Sequence, residues 1–171
     1  MAEAMVRFGD NSVSAKQGIN PSFFARGESF RHGTEWPACG EVDILQTING
    51  ELKSFGAAHC DVYPGGRCDE PKGLAGTVEV PDQGWQRWRV VWDRMPGGWE
   101  CESVTWYLGE EEFHPVEGGR VGDEGVWETL VGRELFFVLD VAVGGDWVSR
   151  FSFCFVPCWV WCGLVWVLTL G

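Results

Sequence analysis

The sequence predicts an all-β sandwich, and three observations carry that prediction. The chain has 171 residues with 24 Gly, 11 Trp and 11 Phe, a mixture that favours strands joined by tight turns over helices. Strict two-residue alternation occurs in Arg87–Asp93, where Trp88, Val90 and Trp92 share one face and Arg87 and Arg89 the other. Helical periodicity is confined to one short stretch, Val126–Val131.

Taken in order, residues 1–22 read as an irregular segment. Residues 9–22 are dominated by Gly, Asn, Ser, Ala, Lys, Gln and Pro without an apolar period, and no apolar stretch of signal-peptide length precedes them. A body spanning residues 23–150 follows. Within it Val78–Val80 is a short strand before Pro81, and Val104, Trp106 and Leu108 repeat the alternation of the preceding strand. Gly109 and Glu110–Glu112 read as a hairpin tip, a solvated turn and not a calcium loop. Leu135–Val143 is apolar on both faces apart from Asp140, the pattern of a buried central strand. Residues 151–171 form an apolar tail without Asp, Glu, Lys, Arg or His. As a helix it would rise about 30 Å, enough to cross a bilayer core, so it is a candidate membrane anchor. Translated non-coding sequence is the other source of such a tail.

The chain carries 13 Lys plus Arg against 25 Asp plus Glu, a formal charge of −12. That balance excludes nucleic acid as a partner and disfavours anionic lipid head groups, because both attract positive charge. A neutral ligand such as a sugar fits it.

The residues with chemical potential lie in Trp36–Gln46. Glu41 and Asp43 are two apart, so on a strand both side chains point to one face. Position 46 would face away on a regular strand, but one β-bulge between shifts the phase and brings 41, 43 and 46 to the same side. Three carboxylates so placed would supply a nucleophile, an assisting acid and a proton donor for glycoside hydrolysis. Position 46 is Gln.

The run Trp36-Pro37, Gly40-Glu41-Val42-Asp43-Ile44 closely resembles the signature of glycoside hydrolase family 16. Ile48-Asn49-Gly50, His59-Cys60, Pro64-Gly65-Gly66, Trp106-Tyr107-Leu108 and Val141–Trp147 continue it over residues 23–148, most like the fungal endo-β-1,3(4)-glucanases. The resemblance implies a concanavalin A-like jelly roll whose concave sheet binds β-1,3- or mixed β-1,3/1,4-glucan, a retaining mechanism, and no cofactor. It implies Glu41 as nucleophile, Asp43 as its assistant, and Trp36 and His59 as sugar contacts. It also implies a Cys60–Cys68 disulfide. Asp140 is a further substrate-binding candidate, in a strand where similar enzymes often carry Asn.

Gln46 stands where the family has its acid/base Glu, so the resemblance implies impaired hydrolysis and leaves a lectin-like glucan-binding module as the alternative. Only 35 residues precede Trp36, fewer than the family has there, so the sandwich is expected to lack strands on its N-terminal side and an unstable fragment is a further outcome. Family members are extracellular or cell-wall proteins, whereas no export signal is visible here. Cys154, Cys158 and Cys162 fall at four-residue spacing in the tail without a companion His, and no metal site is assigned.

Overall fold

The computed structural model describes residues 1–9, 12–94, 97–144 and 148, together with the backbone of 166–170. Among these residues ten strands form two antiparallel five-stranded sheets. In the first sheet β1 (Ala2–Val6) lies between β10 (Trp166–Leu170) and β6 (Gln86–Asp93), and β7 (Ser103–Leu108) and β8 (Glu111–Glu117) complete it. The second sheet runs β5 (Leu74–Glu79), β4 (Lys53–His59), β3 (Glu41–Gln46), β2 (Ile19–Gly27) and β9 (Leu135–Val143). The molecule is a concanavalin A-like jelly-roll sandwich.

Alternation builds the core. Trp88 and Val90 of β6, Val104 and Trp106 of β7 and Ala2, Ala4 and Val6 of β1 point at the second sheet, which returns Phe23, Ala25, Val42, Ile44, Leu45 and Ala58. Trp88 and Trp106 are completely buried, and each removes enough apolar surface from water to contribute about 4–6 kcal/mol before entropy is counted. Two short helices, α1 (Gly118–Val121) and α2 (Glu124–Val131), cover one end. Asp123 caps α2 by accepting a hydrogen bond from the Val126 N–H at 3.0 Å, and the buried Trp127 donates its Nε1–H to Glu102 at 2.9 Å.

One contact keys the sheets together beneath the site. The Trp106 indole N–H donates to the Asp43 carbonyl at 2.6 Å, and the ring packs against Gly56. A Cβ at Gly56 would sit 2.5 Å from the indole, so the sheets pass this closely only with glycine there. Gly56→Ala should therefore cost about 1–3 kcal/mol of stability through overpacking. An unchanged urea midpoint in that variant would show that the sheets slide apart at no cost.

Three expectations are corrected. Residues 1–22 are not irregular throughout: Ala2–Val6 is strand β1, and β2 begins at Ile19. The Ala2-Glu3-Ala4-Met5-Val6 alternation is too weak to read because Ala has little β-propensity; pairing with β6 and β10 on its two sides makes it a strand. Leu135–Val143 is a strand but not a central one, since among the described residues it pairs only with β2. Leu139 and Val143 are exposed; Phe137 packs on Phe23 while the Arg31 guanidinium covers Phe136 at 3.9 Å. An apolar run states that both faces are greasy, not how many neighbours the strand has. The tip of the β7–β8 hairpin is confined to Gly109 and Glu110, and Glu111 and Glu112 belong to β8.

In the tail, Trp166–Leu170 is strand and pairs with β1. Residues 151–165 and 171, on which the remainder of the anchor expectation and the Cys154, Cys158 and Cys162 stripe fall, lie outside the described residues, as do Gly145, Asp146 and Trp147. Among the described residues no helix is long and apolar enough to cross a membrane.

Candidate active site

The second sheet presents its outer face as an open cleft, and a bulge in β3 decides what lies on it. Against β2, Asp43 opposes Phe24 and Leu45 opposes Phe23, so Ile44 is the extra residue. Against β4, Asp43 opposes Ala57 and Gln46 opposes Phe55. Ile44 and Leu45 are both buried in the core, and Glu41, Asp43 and Gln46 consequently all line the cleft. Gly40 makes the approach possible. It adopts φ +80° with the Thr129 carbonyl 2.2 Å from where a Cβ would stand, letting the chain pass under α2 immediately before Glu41.

Glu41 is buried and held from two sides. Arg26, its partner across the β2–β3 ladder, donates from Nε to Oε2 at 2.5 Å, and the Trp36 indole N–H donates to Oε1 at 3.1 Å. Arg26 is itself held between the rings of Phe24 and Phe30, at 4.9 and 4.8 Å. Burial raises the Glu41 pKa to about 7, with the nearby Asp43 charge adding to the rise and Arg26 and His59 opposing it.

Asp43 begins a buried relay. Its Oδ2 lies 3.0 Å from His59 Nε2, and His59 Nδ1 faces Glu70 Oε2 at 2.8 Å. Glu70 is fixed in turn because its Oε1 accepts from the Cys60 backbone N–H at 2.9 Å. Burial works against a charge on His59, but hydrogen bonds to Asp43 and Glu70 and their negative charges prevail and lift its pKa to about 10. The imidazolium thus sits between two carboxylates. Glu41, Asp43 and His59 could each offer one ligand atom within a 4.8 Å group. In this structure both His59 ring nitrogens are engaged by carboxylates, Nε2 by Asp43 and Nδ1 by Glu70.

An aromatic wall rises beside the relay. The Trp36 ring lies 5.4 Å from His59 and 6.2 Å from Tyr63, and Tyr63 is exposed. Tyr63 belongs to a loop closed by the Cys60–Cys68 disulfide and by paired backbone hydrogen bonds between Gly65 and Glu70. Arg67 ties the loop to the helical end by donating to the Val121 and Gly122 carbonyls at 3.3 and 3.0 Å.

The cleft has two adjoining parts that share Glu41, Asp43 and Gln46. One, of about 310 Å³, runs along Trp36, Phe55, His59 and Thr77. The other, of about 270 Å³, runs along Asn20, Ser22, Arg26 and Asp140. Ser22 donates to Asp140 at 2.7 Å, so the carboxylate of Asp140 is turned toward the cleft floor.

The structure therefore gathers Trp36, Glu41, Asp43, Gln46, His59 and Asp140 on one face and bonds Cys60 to Cys68. Sequence spacing misses Arg26, Glu70 and Tyr63. Arg26 is placed by cross-strand register and Glu70 by the return of a loop, neither of which leaves a local mark. An aromatic residue between two cysteines that close a loop was the available signal for Tyr63.

No protein-family model matches the chain, and no curated protein matches it. Solved structures do. The endo-1,3-β-glucanase of Streptomyces sioyaensis aligns with a TM-score of 0.79 and 26% identity over 86% of this chain and 53% of that one. The laminarinase catalytic domain of Thermotoga maritima aligns at 0.64 and 21% identity, over 85% of this chain and 53% of that one. A non-specific endo-β-1,3(4)-glucanase from family 16 of the glycoside hydrolases aligns at 0.62 and 14%, over 84% and 50%. The chain spans about half the length of the structures it matches.

Proposed function

We propose that this chain is a family 16 glycoside hydrolase-like protein that holds β-1,3- or mixed β-1,3/1,4-glucan across the outer face of the second sheet. In this reading Gln46 blocks most hydrolysis. The carrying observation is the set of contacts around Glu41: a buried carboxylate held by Arg26 and Trp36, next to the Asp43–His59–Glu70 relay. The jelly roll shared with solved β-glucanases supports the substrate class.

In the retaining reaction a Glu41 oxygen bonds to the anomeric carbon as the bond from that carbon to the leaving oxygen breaks. Where position 46 carries a carboxylic acid, it gives the leaving oxygen a proton; in the second half the carboxylate takes a proton from a water whose oxygen bonds to the anomeric carbon as the bond to Glu41 breaks. Arg26 and Trp36 fix the attacking oxygens of Glu41, and the imidazolium of His59 steadies Asp43 beside it. The Gln46 amide has no acidic proton to give and is too weak a base to receive one. Binding survives this loss and turnover does not, which also favours a glucan-binding module over an efficient hydrolase. The Cys60–Cys68 disulfide fits an oxidising compartment, as befits contact with extracellular polysaccharide.

Affinity electrophoresis of the full chain tests the proposal. Migration should be retarded by laminarin and unaffected by dextran. Trp36→Ala should weaken retardation about 10–30-fold, the usual loss when an aromatic anchor is removed. A sharp, folded band that ignores laminarin would refute the reading.

A further inference from the structure

The loop that carries Tyr63 is braced beyond what a surface connection needs. The Cys60–Cys68 disulfide closes its base, and Gly65 and Glu70 exchange backbone hydrogen bonds at 2.8 and 2.6 Å. Within it the Arg67 backbone N–H donates to Asp61 Oδ2 at 3.0 Å. Gly66, at φ +67°, folds directly behind Val62, and a Cβ there would lie 2.7 Å from the Val62 carbonyl oxygen. What this frame displays to solvent is apolar: Val62 is 56% exposed and Tyr63 60%. A single exposed apolar residue is ordinary on a protein surface. Tyr63, however, continues a site, because its ring stands 6.2 Å from that of Trp36, which lines the cleft beside Glu41. Tyr63 does not line that part of the cleft itself and stands one ring further out. The same loop supplies Glu70 to His59, so the exposed ring is fixed relative to the buried relay.

We propose that Tyr63 is a sugar-stacking residue, a second platform that takes the pyranose next to the one on Trp36. The apolar C–H face of a pyranose lies against an aromatic ring, while the phenol hydroxyl stays free for water or for a sugar hydroxyl. Because the braces hold the ring in place before a ligand arrives, little order is lost on binding. The inference deepens the glucan reading above and rests on it: the site takes a chain of several sugars, and its affinity rises with chain length.

Laminaritriose and laminarihexaose, titrated calorimetrically into the full chain, separate this role from a structural one. Tyr63→Ala should raise the hexaose dissociation constant about 3–10-fold and the triose constant less than about twofold. The melting temperature should hold, because the ring is exposed. Tyr63→Phe keeps the ring and should retain most of the hexaose affinity. An equal loss for both sugars would show that Tyr63 only props Trp36, and would overturn the proposal. Unchanged hexaose affinity would overturn it too and leave the glucan reading standing. Absence of binding to laminarin and to the hexaose by the folded wild type would overturn both. A second measurement needs no variant. Acetylation of Tyr63 by N-acetylimidazole, located by peptide mass, should slow at saturating laminarihexaose, with Tyr107 on the other sheet as the control. A Tyr63 rate unchanged by the sugar would refute the contact.

Discussion

Gln46→Glu should raise the release of reducing ends from laminarin by about 10²–10⁴-fold, the typical contribution of general acid–base help. The bulge at Ile44 already turns position 46 onto the cleft floor with Glu41 and Asp43, so the substitution changes chemistry without asking the backbone to move. The new rate should climb as pH rises through about 7, where burial places the ionisation of Glu41, and fall again when the introduced carboxyl loses its proton. Glu41→Gln in the same background should return the rate to the starting level. A Gln46→Glu protein that binds laminarin normally but hydrolyses no faster would show that position 46 does not reach the leaving oxygen.

His59→Gln should cost about 3–5 kcal/mol of stability, because it leaves two buried carboxylates facing each other without their cation. The effect carries a pH signature. The folded pKa of His59, about 10, lies above its ordinary 6.5, so folding takes up a proton there. Its contribution is complete below pH 6.5, shrinks as pH climbs, and is gone once pH passes about 10. Urea titrations at pH 6 and pH 10.5 should show a wide gap between wild type and variant at the lower pH and a narrow one at the higher. An equal gap at both would mean that the ring acts by packing and not by charge.

How much of this was legible depends on how local each determinant is. Glu41 and Asp43 share a face by two-residue spacing alone, whatever the strand pairs with. Gln46 joins them only if the chain carries a bulge, and the consecutive Ile44 and Leu45, both apolar where alternation should break one of them, are its trace. Arg26 and Glu70 lie beyond such reasoning, since one reaches Glu41 through the β2–β3 register and the other reaches His59 through a loop that folds back at Gly65. At fold level, the alternation of Arg87–Asp93 found a strand because large side chains mark its inner face. The small Ala2 and Ala4 of β1 leave the same face almost unmarked. The edge position of β9 has no counterpart in its own residues; it is a property of the sheet.

The order of strands β5, β4, β3, β2 and β9 gives the two parts of the cleft different folding histories. The Trp36 side draws on residues 36–77, a run of neighbouring hairpins whose contacts span short stretches of chain. The Asn20 side requires β2 to meet β9, partners more than a hundred residues apart. Closing that span carries a larger entropic barrier, and the partner strand leaves the ribosome late. During synthesis the His59 relay can take shape while the Asp140 wall does not yet exist. Until β9 arrives, β2 offers Phe23 and Phe24 on an unpaired edge, and it is in that interval that the nascent chain is most open to aggregation or to capture by chaperones.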